Sequence, residues 1–162
     1  MTDLNKLLTP IFLDEGEIRK LIELLFFSYR DFTSVPDKIL ESINFGRAHH
    51  RIIYFVGKKK GLTIKELLSI LKITKQSLSR VLNQLVEKEY IKLTIGKDKR
   101  TKELSLTNKG MLLEEKLSKI QINQIKEVIK KSNEVDINGF KKILYEMTNL
   151  DSKKQFNILN NL

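Results

Sequence analysis

The sequence predicts a mainly α-helical fold that carries one small β-hairpin. Its 162 residues include only 2 prolines and 7 glycines, which favours long helices over a fold built on many tight turns. Apolar residues recur at helical spacing over most of the chain, and strand-like alternation replaces that spacing only within 90–106. A chain of this length corresponds to a single domain, residues 1–162.

The first predicted helix covers about Glu15–Asp31. Its apolar stripe has the spacing i, i+3, i+4, i+7, i+8 and i+11 and is broad, as in a helix shared between two partners. The residues of this stripe are Ile18, Leu21, Ile22, Leu25, Phe26 and Tyr29, widened by Leu24 and Phe27. Residues 34–37 are expected to end the helix, because Pro36 disfavours helical backbone in the residue before it.

A second helix is predicted over about Asn44–Val56, followed by a turn at 57–61 and then by two short helices. Thr63, with Glu66 three residues later, predicts a capping box, and Thr74 predicts the next N-cap. The apolar sets of the two helices are Ile64, Leu67, Leu68 and Leu71, then Leu78, Val81, Leu82, Leu85 and Val86. Two capped helices this close together predict a helix-turn-helix, here without the glycine often found in the turn.

After Glu89 the pattern changes to that of strands. Residues 90–95 are rich in β-branched and aromatic side chains, 96–99 have turn composition, and 102–106 alternate. A basic hairpin directly after a helix-turn-helix is a wing, so the sequence predicts a winged helix-turn-helix.

Helices are predicted for the rest of the chain. Thr107 is expected to cap a helix that reaches about Lys131, Asp136 to cap another that reaches about Leu150, and Asp151 to start a short terminal helix.

Positive charge is concentrated in the middle of the chain. Residues 35–110 hold 17 basic and 7 acidic side chains, a net +10, whereas the preceding segment has −2 and the following one +2. A general lysine bias would raise the charge everywhere, so the pattern favours a polyanion partner such as nucleic acid. The alternatives are a membrane surface or no charged partner.

Several classes of protein are excluded or disfavoured. The absence of cysteine excludes disulfide scaffolds, thiolate catalysis and cysteine-based zinc sites. No apolar run approaches a membrane span and no basic signal head is present, so we expect a cytoplasmic protein. No phosphate-loop, dinucleotide, metalloprotease or nucleophile-elbow motif occurs, so no enzyme and no cofactor is expected. His49 and His50 point about 100° apart on a helix and cannot share a metal.

Taken together, four segments resemble the MarR (multiple antibiotic resistance regulator) winged-helix family. The runs Thr63–Leu68 and Thr74–Leu85 are similar to its helix-turn-helix. The pattern D-x-R-x-x-x-L-x-L-T-x-x-G over Asp98–Gly110 resembles its wing, and Phe45–Arg51 resembles a branch found in bacteria. The resemblance extends over about residues 15–150.

The resemblance implies a ligand-modulated repressor that binds a palindromic operator as an obligate homodimer. It also implies that the helical regions 15–35 and 107–162 form the dimer, while 44–107 bind DNA through a wing at 90–106. Two positions depart from the family pattern, since Glu89 replaces a usual glycine and Leu93 a frequent arginine.

The residues that we expect to contact double-stranded DNA lie on the second helix of the helix-turn-helix and on the wing. On the helix, the spacing of Gln76, Arg80 and Asn83 places them opposite the apolar stripe, where they can reach base edges in the major groove. At the wing, Arg100 is expected to enter the minor groove, oriented by Asp98. The full set is Lys75, Gln76, Ser77, Ser79, Arg80, Asn83, Lys97, Asp98, Lys99 and Arg100. For Lys58–Lys60, phosphate contact and plain solvation are equally open.

The resemblance further implies a small-molecule pocket between the dimerisation helices and the winged domain. Its candidate lining residues are Arg47, His50, Arg51 and Tyr54, and the two arginines suit an anionic effector. Two alternatives to a sequence-specific regulator remain, a protein–protein adaptor and a nonspecific chromosome-coating protein, each reusing the winged helix.

Overall fold

The computed structural model describes residues 13–96 and 100–162. In these ranges the chain is mainly α-helical with a small antiparallel sheet, which confirms the predicted fold class. The elements are α1 (Glu15–Glu41), α2 (Arg47–Lys58), β1 (Leu62–Thr63), α3 (Ile64–Leu71), α4 (Lys75–Glu87), β2 (Ile91–Ile95), β3 (Lys102–Leu106), α5 (Asn108–Ile129), α6 (Glu134–Met147) and α7 (Leu150–Asn160). None of the described helices is long and apolar enough to cross a membrane.

The chain divides into two compact units, one ending at Val35 and the other covering 36–162. In the first unit, the described residues form the N-terminal part of α1, and its apolar stripe is exposed to solvent. Phe26 is the most exposed of these side chains, at 71%. Exposed ion pairs such as Arg19–Glu15, at 2.6 Å, support the helix on its polar side.

The prediction that α1 ends before Pro36 is wrong, because the helix continues to Glu41 with Pro36 inside it. Proline in a helix interior costs about 3 kcal/mol, since it lacks an N–H and crowds the preceding turn. Here the Pro36 ring is fully buried, as is Leu40 one turn later, and this burial opposes the cost. In the turn before the proline, the Ser34 hydroxyl donates to the Asp31 carbonyl at 2.8 Å.

The second unit is built around one core, to which the end of α1, helices α2, α3 and α4, the sheet and the first half of α5 contribute. Of the predicted inward residues of the helix-turn-helix, Leu67, Leu78, Val81, Leu82 and Leu85 are buried. The other four pack against this core and are partly buried: Ile64, Leu68, Leu71 and Val86. Among the described residues, the buried hydrophobic side chains that form this core are Leu40, Phe45, Ile52, Ile53, Val56, Leu62, Leu67, Leu78, Val81, Leu82, Leu85, Tyr90, Ile91, Leu104, Leu113 and Leu117.

The sheet has the strand order β1-β3-β2, and both pairings are antiparallel. The predicted hairpin is therefore confirmed as β2 and β3, with Ile91 opposite Leu106 and Ile95 opposite Lys102. The sequence did not predict β1, whose Leu62 pairs with Leu104. This short strand fastens the wing to the start of α3.

The three predicted threonine caps, Thr63, Thr74 and Thr107, are confirmed. Each threonine hydroxyl accepts the backbone N–H of the residue three positions later, at 3.1–3.2 Å. Glu66 completes the capping box at Thr63, as expected. These caps fix where α3, α4 and α5 begin, and α4 is the helix that the sequence assigned to DNA.

The cap predicted for α6 and the start predicted for α7 are wrong by a few residues. α6 is capped by Asn133, and Asp136 is instead the residue that returns the capping-box hydrogen bond to the Asn133 N–H. α7 is capped by Asn149, so Asp151 lies inside its first turn. Asparagine and aspartate cap equally well, which is why the spacing alone did not discriminate between them.

Helix α4 ends in a Schellman motif although its left-handed residue is not glycine. Glu89 has φ +62°, the Tyr90 N–H donates to the Leu85 carbonyl at 2.8 Å, and the Glu89 N–H donates to the Val86 carbonyl at 3.0 Å. The helix end therefore has the geometry for which glycine is best suited. The turn of the helix-turn-helix also contains a left-handed residue that is not glycine, Lys72 at φ +53°.

We expect Glu89→Gly to raise the free energy of unfolding by about 0.5–1 kcal/mol. Glycine removes the steric cost of the left-handed conformation, and its greater freedom in the unfolded chain offsets part of the gain. Urea unfolding followed by circular dichroism measures the change. As a control, Glu87→Gly inside the last helical turn should cost about 1 kcal/mol. A Glu89→Gly variant less stable than wild type would contradict the assigned helix end.

Candidate nucleic-acid interface

Helix α4 has one buried face and one polar exposed face. Leu78, Val81, Leu82 and Leu85 pack into the core. All six side chains assigned to DNA on this helix lie in the exposed positions: Lys75, Gln76, Ser77, Ser79, Arg80 and Asn83. At the first turn, the Thr74 hydroxyl also donates to the Ser77 hydroxyl at 2.9 Å, so the side chain of Ser77 is held against the cap.

His49 of α2 connects that helix to α4. Its Nε2 lies 2.7 Å from the Gln84 Oε1 on α4, and its Nδ1 accepts the Gly46 N–H at 3.1 Å. These contacts fit the neutral ring protonated on Nε2. The ring also stacks on Phe45 with centroids 4.3 Å apart. From the sequence, a metal shared with His50 was excluded for His49 and no partner was predicted. Gln84 was not singled out, because a polar residue at that position of an amphipathic helix does not by itself predict a contact.

Burial lowers the pKa of His49 below its ordinary 6.5, and the nearby charges of Lys88 and Arg80 lower it further. The hydrogen bonds with Gln84 and Gly46 act in the opposite direction but do not restore it. The folded protein therefore favours the neutral form of this ring.

A histidine with a lowered pKa makes stability depend on pH in a defined direction. Its contribution is complete above the unfolded-state pKa near 6.5 and declines as the pH falls from there through the lower folded-state pKa. We therefore expect the urea midpoint to fall between pH 7.5 and 5.5, and the fall to be smaller in His49→Gln. An equally steep fall in that variant would assign the effect to other groups, His50 among them.

The wing presents polar and apolar side chains to solvent beside α4. Lys92 and Lys102 are exposed on its two strands, and Arg100 is exposed at the start of the returning arm. Leu93, where the family often has arginine, is 38% exposed. Three of the predicted DNA contacts, Lys97, Asp98 and Lys99, lie outside the described residues, and so does the proposed pairing of Asp98 with Arg100.

Two lysines cover aromatic rings where the helix-turn-helix meets the wing. The Lys88 Nζ lies 4.8 Å from the centre of the Phe45 ring, and the Lys109 Nζ lies 4.5 Å from that of Tyr90. Each ammonium also donates to a backbone carbonyl, Lys88 to Ile43 at 3.1 Å and Lys109 to Lys88 at 2.9 Å. Neither lysine was singled out from the sequence.

Of the lysine run 58–60, one member has a structural partner. The Lys59 Nζ lies 2.7 Å from the Glu66 carboxylate, which also accepts from the Thr63 N–H at 2.8 Å. Burial alone would raise the pKa of Glu66, but these hydrogen bonds hold it below its usual range. Lys59 thus supports the capping box, which accounts for one of the three charges without DNA.

The four residues assigned to an effector pocket, Arg47, His50, Arg51 and Tyr54, lie at i, i+3, i+4 and i+7 on α2. The Arg47 Nε donates to Asp37 Oδ2 at 2.7 Å, while Asp37 Oδ1 is buried and finds no hydrogen-bond donor within the described ranges. Tyr54 is 40% exposed. Helix α2 therefore presents two guanidinium groups and one phenol beside the Asp37 carboxylate, one oxygen of which accepts no hydrogen bond from the described residues.

His50 lies among charges of both signs. Burial lowers its pKa, the carboxylates of Asp37 and Glu114 act to raise it, and Arg51 lowers it. His49 and His50 thus have separate surroundings, one on the side of α4 and one beside Asp37, as expected for adjacent helical positions.

A helix-turn-helix followed by an antiparallel wing and flanked by long helices defines a winged-helix regulator of the DNA-binding class. The sequence model of the MarR family matches residues 43–101. The chain is also 39% identical over 152 residues to the HTH-type transcriptional regulator PetP of Rhodobacter capsulatus, covering 93% of this chain and 92% of that protein. The chain therefore belongs to the MarR family of transcriptional regulators, and it is not an enzyme.

Solved structures share the fold. The structure of Streptococcus pneumoniae FabT in complex with DNA aligns with a TM-score of 0.72 at 21% identity, covering 80% of this chain and 94% of that one. The DNA complex of MepR from S. aureus aligns with a TM-score of 0.63 at 21% identity, covering 76% of this chain and 91% of that one.

Proposed function

We propose that this protein represses transcription by binding a palindromic DNA operator as a homodimer. The observation that carries the proposal is the exposed polar face of α4, opposite its buried leucines and beside a basic wing. Relatives with the same fold, FabT and MepR, have been crystallised with DNA. The setting we propose is the cytoplasm, where a bacterial chromosome is accessible.

In the proposed complex, each α4 enters a major groove and each wing reaches the neighbouring minor groove. Gln76 can pair with adenine and Arg80 with guanine through two hydrogen bonds, each good pair discriminating by about 1–3 kcal/mol. Lys75 and the lysines of the wing would neutralise phosphates, so binding should weaken steeply with salt.

Selection of bound duplexes from a random DNA pool at near-physiological salt tests this proposal. Enrichment of a palindrome with half-sites about ten base pairs apart is the expected result for a dimeric reader. Binding without enrichment would instead indicate a chromosome-coating protein. No binding at all would favour an adaptor that acts through its helices.

We propose that residues 15–35 and 107–162 supply the dimer interface, and that 44–107 form the DNA-binding region. Support comes from apolar side chains that are exposed at helical spacing on both sides of the winged helix. On α6, Phe140, Ile143, Leu144 and Met147 form a stripe at i, i+3, i+4 and i+7, with Phe140 58% exposed. Stripes of this kind on separate helices are what a second copy of the chain would cover.

Replacing Phe26 by glutamate is expected to shift the protein from dimer to monomer in light scattering after size exclusion. A charge at the centre of an apolar contact loses burial and must be desolvated without a partner. Glu23→Gln, one turn earlier on α1, is the matched control and should stay dimeric. A Phe26→Glu variant that remains fully dimeric at micromolar concentration would remove α1 from the interface.

We further propose that a small organic anion modulates operator binding at the α2 residues Arg47, His50, Arg51 and Tyr54. The two guanidiniums supply charge and paired donors for a carboxylate, and Tyr54 supplies an apolar ring with a polar end. The test is operator release by a panel of small carboxylic acids, compared between wild type and the Arg47→Ala and Arg51→Ala variants. Unchanged release by every effective acid would refute this site.

A further inference from the structure

The last helix, α7, lies against the first helix of the helix-turn-helix. The Gln155 amide donates to the Ser69 hydroxyl at 2.9 Å, and the Asp151 carboxylate lies 3.0 Å from the Lys72 Nζ. Between these helices is a groove of about 340 Å³, whose lining includes Ile70, Ile158 and Leu159. Helix α7 therefore contacts the last part of α3, at Ser69, and the turn that follows it, at Lys72.

One of these contacts is made at the turn that orients α4. Lys72 is the left-handed residue between α3 and α4, and its N–H closes α3 by donating to the Leu68 carbonyl at 3.0 Å. Because the angle between two helices is set at such a turn, a side chain that holds Lys72 also holds the start of α4.

On its other side, α7 packs against α6. The Lys153 Nζ lies 2.6 Å from the Glu146 carboxylate and 5.0 Å from the centre of the Tyr145 ring. The rings of Tyr145 and Phe156 pack edge to face with centroids 6.0 Å apart. Helix α6 carries the exposed apolar stripe that is proposed to meet a second copy. Helix α7 thus connects that stripe with the helix-turn-helix of the same chain.

We infer that α7 is a brace that sets the orientation of the helix-turn-helix relative to the dimer, with Gln155 and Asp151 as positioning residues. The inference rests on the proposed function, since orientation matters only to a dimer that reads two half-sites. In such a dimer, the separation of the two α4 helices decides which half-site spacing fits. The brace would therefore determine spacing specificity without touching DNA.

The contacts are individually weak, because an exposed ion pair is screened by water and a single neutral hydrogen bond adds little. The test therefore uses the double variant Asp151→Asn/Gln155→Ala. Asn160→Ala is the matched control, because its amide donates to the Phe156 carbonyl within α7 at 2.8 Å. A second route is Lys72→Asn, which removes the ion pair from the other side with a residue that tolerates left-handed backbone.

Affinity is measured on the selected operator, on duplexes whose half-sites are moved by one or two base pairs, and on a single half-site. Wild type and Asn160→Ala should prefer the selected spacing by tenfold or more. In the double variant and in Lys72→Asn, we expect the preference to fall to about threefold or less. In the double variant, affinity for the single half-site and dimerisation should be unchanged. Lys72→Asn is judged by the spacing preference alone, because it also removes a positive charge from the proposed DNA-binding region. An unaltered spacing preference, or equal weakening on every duplex, would overturn the inference.

Hydrogen exchange of the protein without DNA separates this inference from the proposed function. Amides of residues 68–74 should exchange at least fivefold faster in the double variant, while those of β2 and β3 stay unchanged. If exchange in 68–74 does not rise, the brace is refuted whatever DNA the protein binds. If wild type selects no palindrome while exchange rises as expected, the proposed function fails and the brace remains a property of the fold.

Discussion

Gly110→Ala is expected to lower the free energy of unfolding by about 2–4 kcal/mol. Gly110 lies in the first turn of α5, where a Cβ atom would come 2.0 Å from the Tyr90 carbonyl oxygen and 3.0 Å from its carbon. That oxygen belongs to the backbone and also accepts the Thr107 N–H at 3.1 Å, so it cannot move aside without breaking a hydrogen bond that holds the capping residue of α5. Overpacking against fixed backbone has costs of this size.

The loss is measured by urea unfolding, and the operator affinity of the variant should fall with it, since β2 begins directly after Tyr90. Gly139→Ala on α6 is the matched control, because a Cβ atom there meets nothing within 4 Å. That control should gain up to about 1 kcal/mol from improved helix propensity. Equal stabilities of the two variants would mean that α5 does not approach Tyr90 this closely.

Arg80→Ala and Arg100→Ala should each weaken operator binding tenfold or more. Loss of one bidentate base contact or one minor-groove guanidinium corresponds to about 1–3 kcal/mol. Arg80 is exposed on α4 and Arg100 is exposed on the wing, so neither contributes to the buried core. Binding is measured by fluorescence anisotropy on the selected operator, at fixed salt.

The two variants should also differ in the sequence preference that each of them loses. Arg80→Ala is expected to relax the base preference at one position of each half-site, whereas Arg100→Ala should reduce preference for a narrow, A·T-rich minor groove. Lys141→Ala on α6 removes the same charge as a control and should bind within about twofold of wild type. Wild-type affinity in a folded, dimeric Arg100→Ala variant would remove the wing from the proposed interface.

Local rules account for what the sequence predicted well. Thr63, Thr74 and Thr107 were identifiable because an N-cap depends on its own hydroxyl and on the N–H three residues later. The buried faces of α3 and α4 followed from spacing alone, and the exposed positions of α4 followed with them. Family resemblance added the expectation of a dimer and of a palindromic operator, which no spacing in a single chain can supply.

Features that depend on tertiary packing were missed. Burial of the Pro36 ring lets α1 continue where local preference predicts a break. Strand β1 has only two residues, too few to show an alternating pattern of apolar and polar side chains. It forms because its backbone pairs with β3. The contact between His49 and Gln84 joins residues 35 positions apart, and neither residue shows a preference for the other in sequence.

The pairing of β1 with β3 has a consequence for how fast the protein finds DNA. Leu62 and Leu104 are fully buried partners, so folding itself immobilises the base of the wing against α3. A segment that is ordered before the encounter loses little conformational entropy on docking, which lowers the barrier to a productive collision. Recognition should then proceed close to the rate set by electrostatic attraction, and differences between operators should lie mainly in how long each complex lasts.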